Sequence, residues 1–380
     1  MKLLFFTGSR GEWGYIRPIL EECKKKKINY KICVTNMHLL DTYGSSIKEI
    51  EKDGFKIHEK IYMALDGYNN FTMTKSLGIL MSSLVDTLSR VKPDWIVLAG
   101  DRGETLIASI ASAYTRIPIA HIQAGELSGI IDGQARHAIG KFTNLHFASN
   151  KDAANRLIKL GEEKSRVKLV GAPQLDDLYS RKINNTKLSY FYKKYNIDLN
   201  KEFVLAIYHP SQPQVETTKK EFKIIHAFLK TTKLNRIWIS PNNDAGSLVI
   251  KNEFFKHRHS QDYIFDNLPR FDYLLLLKHC KCIVGNSSSG IIESPTFKTP
   301  CINIGDRQRG RYRAKNVIDV KTVTSKNLAK AYKFSQSKNF KKKTKLMTNP
   351  YGDGNSSKKI LKFILETRID DNLMTKKLTY

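Results

Sequence analysis

A chain of 380 residues, 41% hydrophobic and 26% charged, is long enough for two buried cores and too apolar for disorder, and its 22 Gly and 11 Pro exclude a collagen-like chain. The 64 Lys and Arg outnumber the 36 Asp and Glu, a formal charge of +28. The cations are scattered, with short runs only at Lys24–Lys27 and Lys341–Lys343 and no aromatic platform or zinc-finger spacing. We read a solvated basic surface and expect no nucleic-acid partner.

The chain opens on Leu3–Phe6, read as a first β-strand because four apolar residues are too few for the core of a signal peptide. Short apolar runs and helix-period segments then alternate: Tyr15–Cys23, Lys31–Thr35, Ser46–Lys52, Trp95–Ala99, Thr105–Tyr114 and Ile117–Ile122. Such alternation predicts βαβ units around a parallel sheet. After Val167–Pro173 and a polar stretch over Ser180–Lys201 the pattern restarts, with strands expected at Phe203–Tyr208, Arg236–Ser240, Cys282–Gly285 and Cys301–Ile304. The expected chain is therefore α/β with two domains, 1–172 and 173–355, followed by a C-terminal helix and tail, 356–380. Open parallel sheets bind ligands beyond the carboxyl ends of their strands, so two facing sheets imply a ligand in the cleft between the domains. Ser356–Arg368 is helical by period with Ser356 as its cap, and the residues beyond are expected to fray. Five cysteines, an odd number without paired CxxC blocks, predict no metal site and a reduced, cytoplasmic protein. No run approaches the roughly 20 apolar residues of a bilayer span, so no membrane partner is expected.

Polar clusters follow the strands. Thr7–Gly14 is a glycine-bearing turn into a helix that can offer backbone N–H groups and Arg10 to an anion. It lacks the GxGxxG and GK[ST] spacings, and a bare strand–helix turn also accounts for it. Gly100-Asp101-Arg102 puts a carboxylate at a strand end, as a site residue or as a helix cap. Between His121 and His137 lie Glu126, Asp132 and Arg136 among glycine turns, more than a loop needs for solubility; His121 alone would read as a strand-end histidine. In the second half come Tyr208-His209-Pro210 and Ser240–Ser247, then Gly285-Asn-Ser-Ser-Ser-Gly290-Ile-Ile-Glu293. Hydroxyls and backbone donors at a helix start suit a diphosphate, and Glu293 can accept from a ribose diol; a local serine turn explains the serines but not the glutamate. Gly305–Arg311 is a basic loop able to close over phosphates, unless Arg309 and Arg311 simply face solvent.

Together these segments resemble the hydrolysing UDP-N-acetylglucosamine 2-epimerases of sialic- and legionaminic-acid-type pathways, from Met1 to the closing Asn349–Asn355. The resemblance implies a glycosyltransferase-B-like fold of two Rossmann-like domains. The first would carry the sugar and catalytic loops and the second the nucleotide, with a UDP-sugar in the cleft, a dimer or tetramer, and no cofactor. It sets Arg10, His209, Asn242, Ser287, Ser288, Glu293 and Arg307 at the nucleotide and Asp101, Arg102, Asp132, Arg136 and His137 at the sugar. The Thr35-Asn-Met-His38 loop would cover the sugar. One position departs: the family's His-Ile-Glu-Gly-Gly-Glu reads His121-Ile-Gln123-Ala-Gly-Glu126, and Gln cannot accept a proton. The implied reaction eliminates UDP to a glycal and hydrates it, turning UDP-N-acetylglucosamine into N-acetylmannosamine. Asp101 and Asp132 would move protons, with Glu126 beside them and Gln123 hydrogen-bonding the sugar. The alternatives are an epimerase of a 2,4-diacetamido-trideoxy nucleotide sugar, a non-hydrolysing 2-epimerase, a glycosyltransferase and a non-catalytic nucleotide-sugar binder.

Overall fold

The computed structural model describes every residue except 42–45, 67–68, 129–130, 180–182, 184, 211–214, 242–245 and 380. Two units emerge: Met1–Asp177 joined by Tyr351–Tyr380, and Leu178–Pro350. The C-terminal residues, read from sequence as a separate helix and tail, thus belong to the first unit.

Seven strands build the first unit: β1 (Lys2–Thr7), β2 (Asn29–Thr35), β3 (Glu59–Ile61), β4 (Trp95–Ala99), β5 (Ile119–Ala124), β6 (Leu145–Ala148) and β7 (Val167–Leu169). They form one sheet in the order β3-β2-β1-β4-β5-β6-β7, every neighbouring pair parallel. Helices α1 (Arg10–Lys25), α2 (Ile47–Lys52), α3 (Asn70–Val91), α4 (Gly103–Tyr114), α5 (Ile131–Phe142) and α6 (Lys151–Lys159) make the crossovers. A parallel strand covered on both faces reads as an unbroken apolar run, and β1 divides its run by the pleat. Leu3 and Phe5 pack with Trp13, Ile16 and Leu20 of α1, whereas Leu4 and Phe6 pack with Leu80 and Leu84 of α3 and Ala108 of α4.

The second unit repeats the plan with β8 (Phe203–Ile207), β9 (Asn235–Ile239), β10 (Asp262–Phe265), β11 (Ile283–Gly285), β12 (Cys301–Ile304) and β13 (Val317–Val320), ordered β10-β9-β8-β11-β12-β13 and parallel throughout. Val204 and Ala206 of β8 meet Phe222, Ile225 and Leu229 of the helix Val215–Thr231. Strand order reverses beside β1 in one sheet and beside β8 in the other. In the first unit the loops after β1 and β4, and in the second the loops after β8 and β11, therefore leave from a switch point that no crossover covers.

Five strands escaped the sequence reading. β3, β7, β10 and β13 are sheet edges, partly exposed and without a continuous apolar run, and β6 is four residues long with a histidine inside it. All five cysteines are buried and free. No helix among the described residues is long and apolar enough to cross a membrane.

The C-terminal segment corrects two expectations. Ser356 does not cap its helix but is the first residue of Ser356–Glu366, whose leading amides are taken by the Asp176 carboxylate, at 3.1 Å from Ser356 N and 2.8 Å from Ser357 N. Nor do the residues beyond Arg368 fray. Arg166 donates to the carbonyls of Asn372 and Leu373 at 2.5 and 2.6 Å, and Lys376 reaches Glu162 at 2.5 Å and Gly140 O at 2.7 Å. Burial alone would raise the Glu162 pKa, but His146 and Lys376 outweigh it and hold the carboxyl at about 2. Because Asp176 satisfies two amides that no local side chain reaches, Asp176→Ala should lower stability by about 1–2 kcal/mol in urea unfolding, and Ser356→Ala by less.

Candidate active site

In the first unit the switch-point loops leave from β1 and β4. Ser9 caps α1 in a reciprocal box with Glu12, whose Oε2 accepts from Gly8 N at 2.5 Å and Ser9 N at 3.0 Å. Of the backbone N–H groups expected to face an anion, those of Gly8 and Ser9 are taken by the protein's own carboxylate. Arg10, the first residue of α1, is partly buried. After β4 the chain turns at Gly100, in the left-handed region at φ 83°, into Asp101 and Arg102. Arg102, not Asp101, is the residue before α4, and its Nε lies 3.4 Å from Glu104 Oε2.

Asp101 instead pairs with Arg136 of α5. Asp132 opens α5 and Arg136 lies four residues on, so both share one helix face. The Arg136 guanidinium is 3% exposed, and its Nε and Nη1 are buried with no partner among the described residues. A buried charged donor with unspent N–H groups is an expensive arrangement that a ligand acceptor would relieve. The neighbouring His137 is partly buried; burial and then the Arg136 charge lower its pKa.

β5 supplies the departure from the family pattern. Gln123 adopts φ 64° at a register shift between Ile122 and Ala124, and its buried amide donates to Gln174 Oε1 at 3.2 Å. A non-glycine residue held left-handed next to polar loops is a strained feature typical of binding sites. Gly125, at φ 75°, has no room for a Cβ against the Ala153 carbonyl. Glu126, 1% exposed, accepts from Ser149 Oγ and, at 2.5 Å, from Asn150 Nδ2, which binds it to the start of α6. Two histidines belong to the fold interior. His121 is fully buried with Nε2 2.7 Å from Gly100 O, and His38 is fully buried between Thr7 Oγ1 at 2.9 Å and Ser46 Oγ at 2.8 Å.

In the second unit β11 ends at Gly285, φ 136°, where a Cβ would strike the Ile207 carbonyl. The residue that organises this corner, Asn286, was missed by sequence reasoning. It is fully buried; Oδ1 accepts from His209 N at 2.7 Å, Nδ2 donates to His209 O at 2.8 Å, and its own carbonyl accepts from Gln308 Nε2 at 2.9 Å and Arg307 Nη1 at 3.3 Å. An amide side chain can satisfy both backbone groups of one residue, and an Asn directly after a strand-ending Gly was the signal available. Ser287 and Ser288 are partly buried ahead of the short helix Ser289–Ile292. Glu293 is buried and engaged by Arg270 Nη2 and Ser289 Oγ, each at 2.5 Å. Arg309 is exposed and Arg311 partly buried. Asn242 lies outside the described residues. Among those described, no three His, Cys, Asp or Glu side chains gather as metal ligands.

The family model described as UDP-N-acetylglucosamine 2-epimerase matches residues 21–365. The chain belongs to this family. A Legionella pneumophila relative, UDP-N,N'-diacetylbacillosamine 2-epimerase (hydrolyzing), is 32% identical over 99% of this chain and 98% of its own. A Campylobacter jejuni relative, GDP/UDP-N,N'-diacetylbacillosamine 2-epimerase (hydrolyzing), is 38% identical over 90% and 88%. The Neisseria meningitidis serogroup B UDP-N-acetylglucosamine 2-epimerase is 30% identical over 83% of each chain. Among solved structures, a UDP-GlcNAc 2-epimerase from Neisseria meningitidis bound to UDP-GlcNAc superposes with a TM-score of 0.83 at 21% identity, covering 97% of this chain and 100% of that one. At that identity the likeness speaks for the fold, two parallel-sheet α/β units of the glycosyltransferase-B kind, as the sequence led us to expect.

Burial, before any other influence, lowers the pKa of both His38 and His121 to about 3. Neither ring should titrate between pH 5 and 8 when followed by NMR. Because the unfolded chain takes up these protons near pH 6.5 and the folded one does not, stability should fall as the pH drops below 6.5.

Proposed function

We propose that the protein is a hydrolysing 2-epimerase of a UDP-linked 2-acetamido sugar. The observation that carries this reading is the Asp101–Arg136 pair, with unspent guanidinium donors and with Asp132 on the same face of α5. In the proposed reaction the C1–O bond to UDP breaks as a base removes the C2 proton, giving a glycal and free UDP. Water then adds at C1 while an acid returns a proton to the opposite face of C2, leaving a free sugar inverted there. The C2 proton is weakly acidic, so stabilising the departing diphosphate is the larger electrostatic task. Arg10, Arg307, His209, Ser287 and Ser288 are assigned to it, and Glu293 to the ribose. Asp101 and Asp132 move the protons; Arg136 fixes the direction of the Asp101 carboxylate. Gln123 and Glu126, both buried and hydrogen-bonded within the first unit, shape the floor beside them. His38, buried between Thr7 and Ser46, steadies the loop after β2 that is assigned to cover the sugar.

Two substrates are distinguished by the relatives. The L. pneumophila and C. jejuni proteins are named for N,N'-diacetylbacillosamine and for hydrolysis, which supports a 2,4-diacetamido-trideoxy sugar on the nucleotide. The N. meningitidis relative is named for UDP-N-acetylglucosamine, the second reading. Gln123, an amide where a carboxylate was expected, fits a pocket that orients an acetamido group by hydrogen bonding.

Incubation with both nucleotide sugars in heavy water, followed by NMR, should give UDP and a free sugar carrying solvent deuterium at C2, faster from the diacetamido compound. Product without deuterium at C2 would remove the elimination–hydration route. General acid–base steps are worth about 10²–10⁴-fold, so Asp101→Asn and Asp132→Asn should each slow turnover by about that much while UDP still raises the melting temperature.

A further inference from the structure

Beneath the loops of the first unit lie two carboxylates to which the proposed reaction gives no part. Glu12 of α1 and Glu104 of α4 are 3% and 4% exposed. Both pack under Gly8: a Cβ there would sit 3.6 Å from Glu12 Oε2 and 3.7 Å from Glu104 Cβ. Glu12 holds the β1 loop through the amides of Gly8 and Ser9, and its other oxygen accepts from Thr105 Oγ1 of α4 at 3.2 Å. Glu104 accepts from Asn36 Nδ2 in the loop after β2 and lies 3.4 Å from Arg102 Nε. A backbone bond from Met37 N to Gly8 O, 3.1 Å, closes the circuit between the β1 and β2 loops. Burying two like charges side by side is costly, and helix capping alone needs only Glu12.

We propose that Glu12 and Glu104 are positioning residues, a buried carboxylate pair that locks the loops after β1, β2 and β4 into one arrangement and thereby sets where Arg10 and Arg102 present their charge. The proposal rests on the nucleotide-sugar reading for its catalytic consequence, not for its structural one. Each carboxylate ties a different neighbouring loop to the start of α4, so loosening either should be felt in a loop it does not itself belong to. The charged groups acting on Glu12 are Glu104 and Arg102 from the α4 side. Burial first, then the Glu104 charge, push Glu12 up to about 7, while the Gly8 amide, Arg102 and Thr105 pull the other way. Glu12→Gln, which mimics the protonated acid, should therefore flatten a limb of the pH–rate profile near 7.

The test compares wild type, Glu12→Gln, Glu104→Gln, Asn36→Ala and the exchange Asn36→Asp/Glu104→Gln, which swaps donor and acceptor across the same contact. Hydrogen–deuterium exchange over 7–10 and 35–38 reads the loops without assuming any substrate, and UDP release reads kcat and KM. We expect Glu104→Gln and Asn36→Ala to speed exchange in the β1 loop about ten-fold or more and to lower kcat at least ten-fold with KM changed less than three-fold. The exchange variant should recover most of both. Unchanged β1-loop exchange in Glu104→Gln, or lost turnover that the exchange variant leaves unrecovered, would overturn the proposal. If wild type releases no UDP from any nucleotide amino sugar, the functional reading fails, and the loop exchange alone decides the positioning claim. Should Glu104→Gln fail to fold, Asn36→Ala carries both readouts, since it keeps the Glu104–Arg102 contact.

Discussion

A parallel strand buried on both faces has no place for polar chemistry except its ends. In this chain that constraint acts twice, at β1 beside β4 and at β8 beside β11, where the strand order reverses and the outgoing loops are left uncovered. Thr7–Arg10 and Gly100–Arg102 share one such corner, and His209 and Asn286–Ser288 share the other. Glycines stand at both turns: Gly100 because its backbone is left-handed, and Gly285 because a side chain there would also strike Ile207 of the neighbouring strand.

Burial also separates charges that serve the fold from charges with something left to give. Arg236 and Arg136 are 1% and 3% exposed. Arg236 spends its donors on Asp262 at 2.5 Å, Leu234 O at 3.0 Å and His259 at 3.4 Å; Asp262 is held well below the usual carboxylate range because His226 and Arg236 outweigh the burial that would raise it. Arg136 commits one terminus to Asp101 and keeps two nitrogens, Nε and Nη1, buried with no partner among the described residues. The first is a closed structural knot. The second is an arrangement that an oxygen-rich ligand would relieve.

Support for these corners comes from far along the chain. Lys376 reaches the last turn of α5 through Gly140 O at 2.7 Å, and α5 carries Asp132 and Arg136 at its other end. The Asp176 carboxylate caps the helix Ser356–Glu366, whose Ile360, Leu361 and Ile364 complete the core against α1 and β1. A segment expected from the sequence to be a separate helix with a fraying end is thus built into the unit that holds the candidate proton-transfer residues.

The amino-acid order alone determined the two parallel-sheet cores, since Leu3–Phe6, Trp95–Ala99 and Phe203–Ile207 are apolar runs of the kind that a doubly covered strand requires. It also marked the glycine-bearing loops that follow them, and through these the family. Edge strands β3, β7, β10 and β13 were illegible because partial exposure breaks the apolar run on which strand recognition depends. What a polar side chain does was decided only in three dimensions. Asp101 could cap a helix or meet a cation until α5 brought Arg136 beside it, and His121 looked like part of a reactive cluster until burial in β5 turned it toward Gly100. The Thr7–Arg10 turn seemed open to an anion until Glu12 folded back onto its amides. Apolar burial is a local property that accumulates along a strand and shows in composition, whereas a hydrogen bond depends on which distant residue arrives to make it.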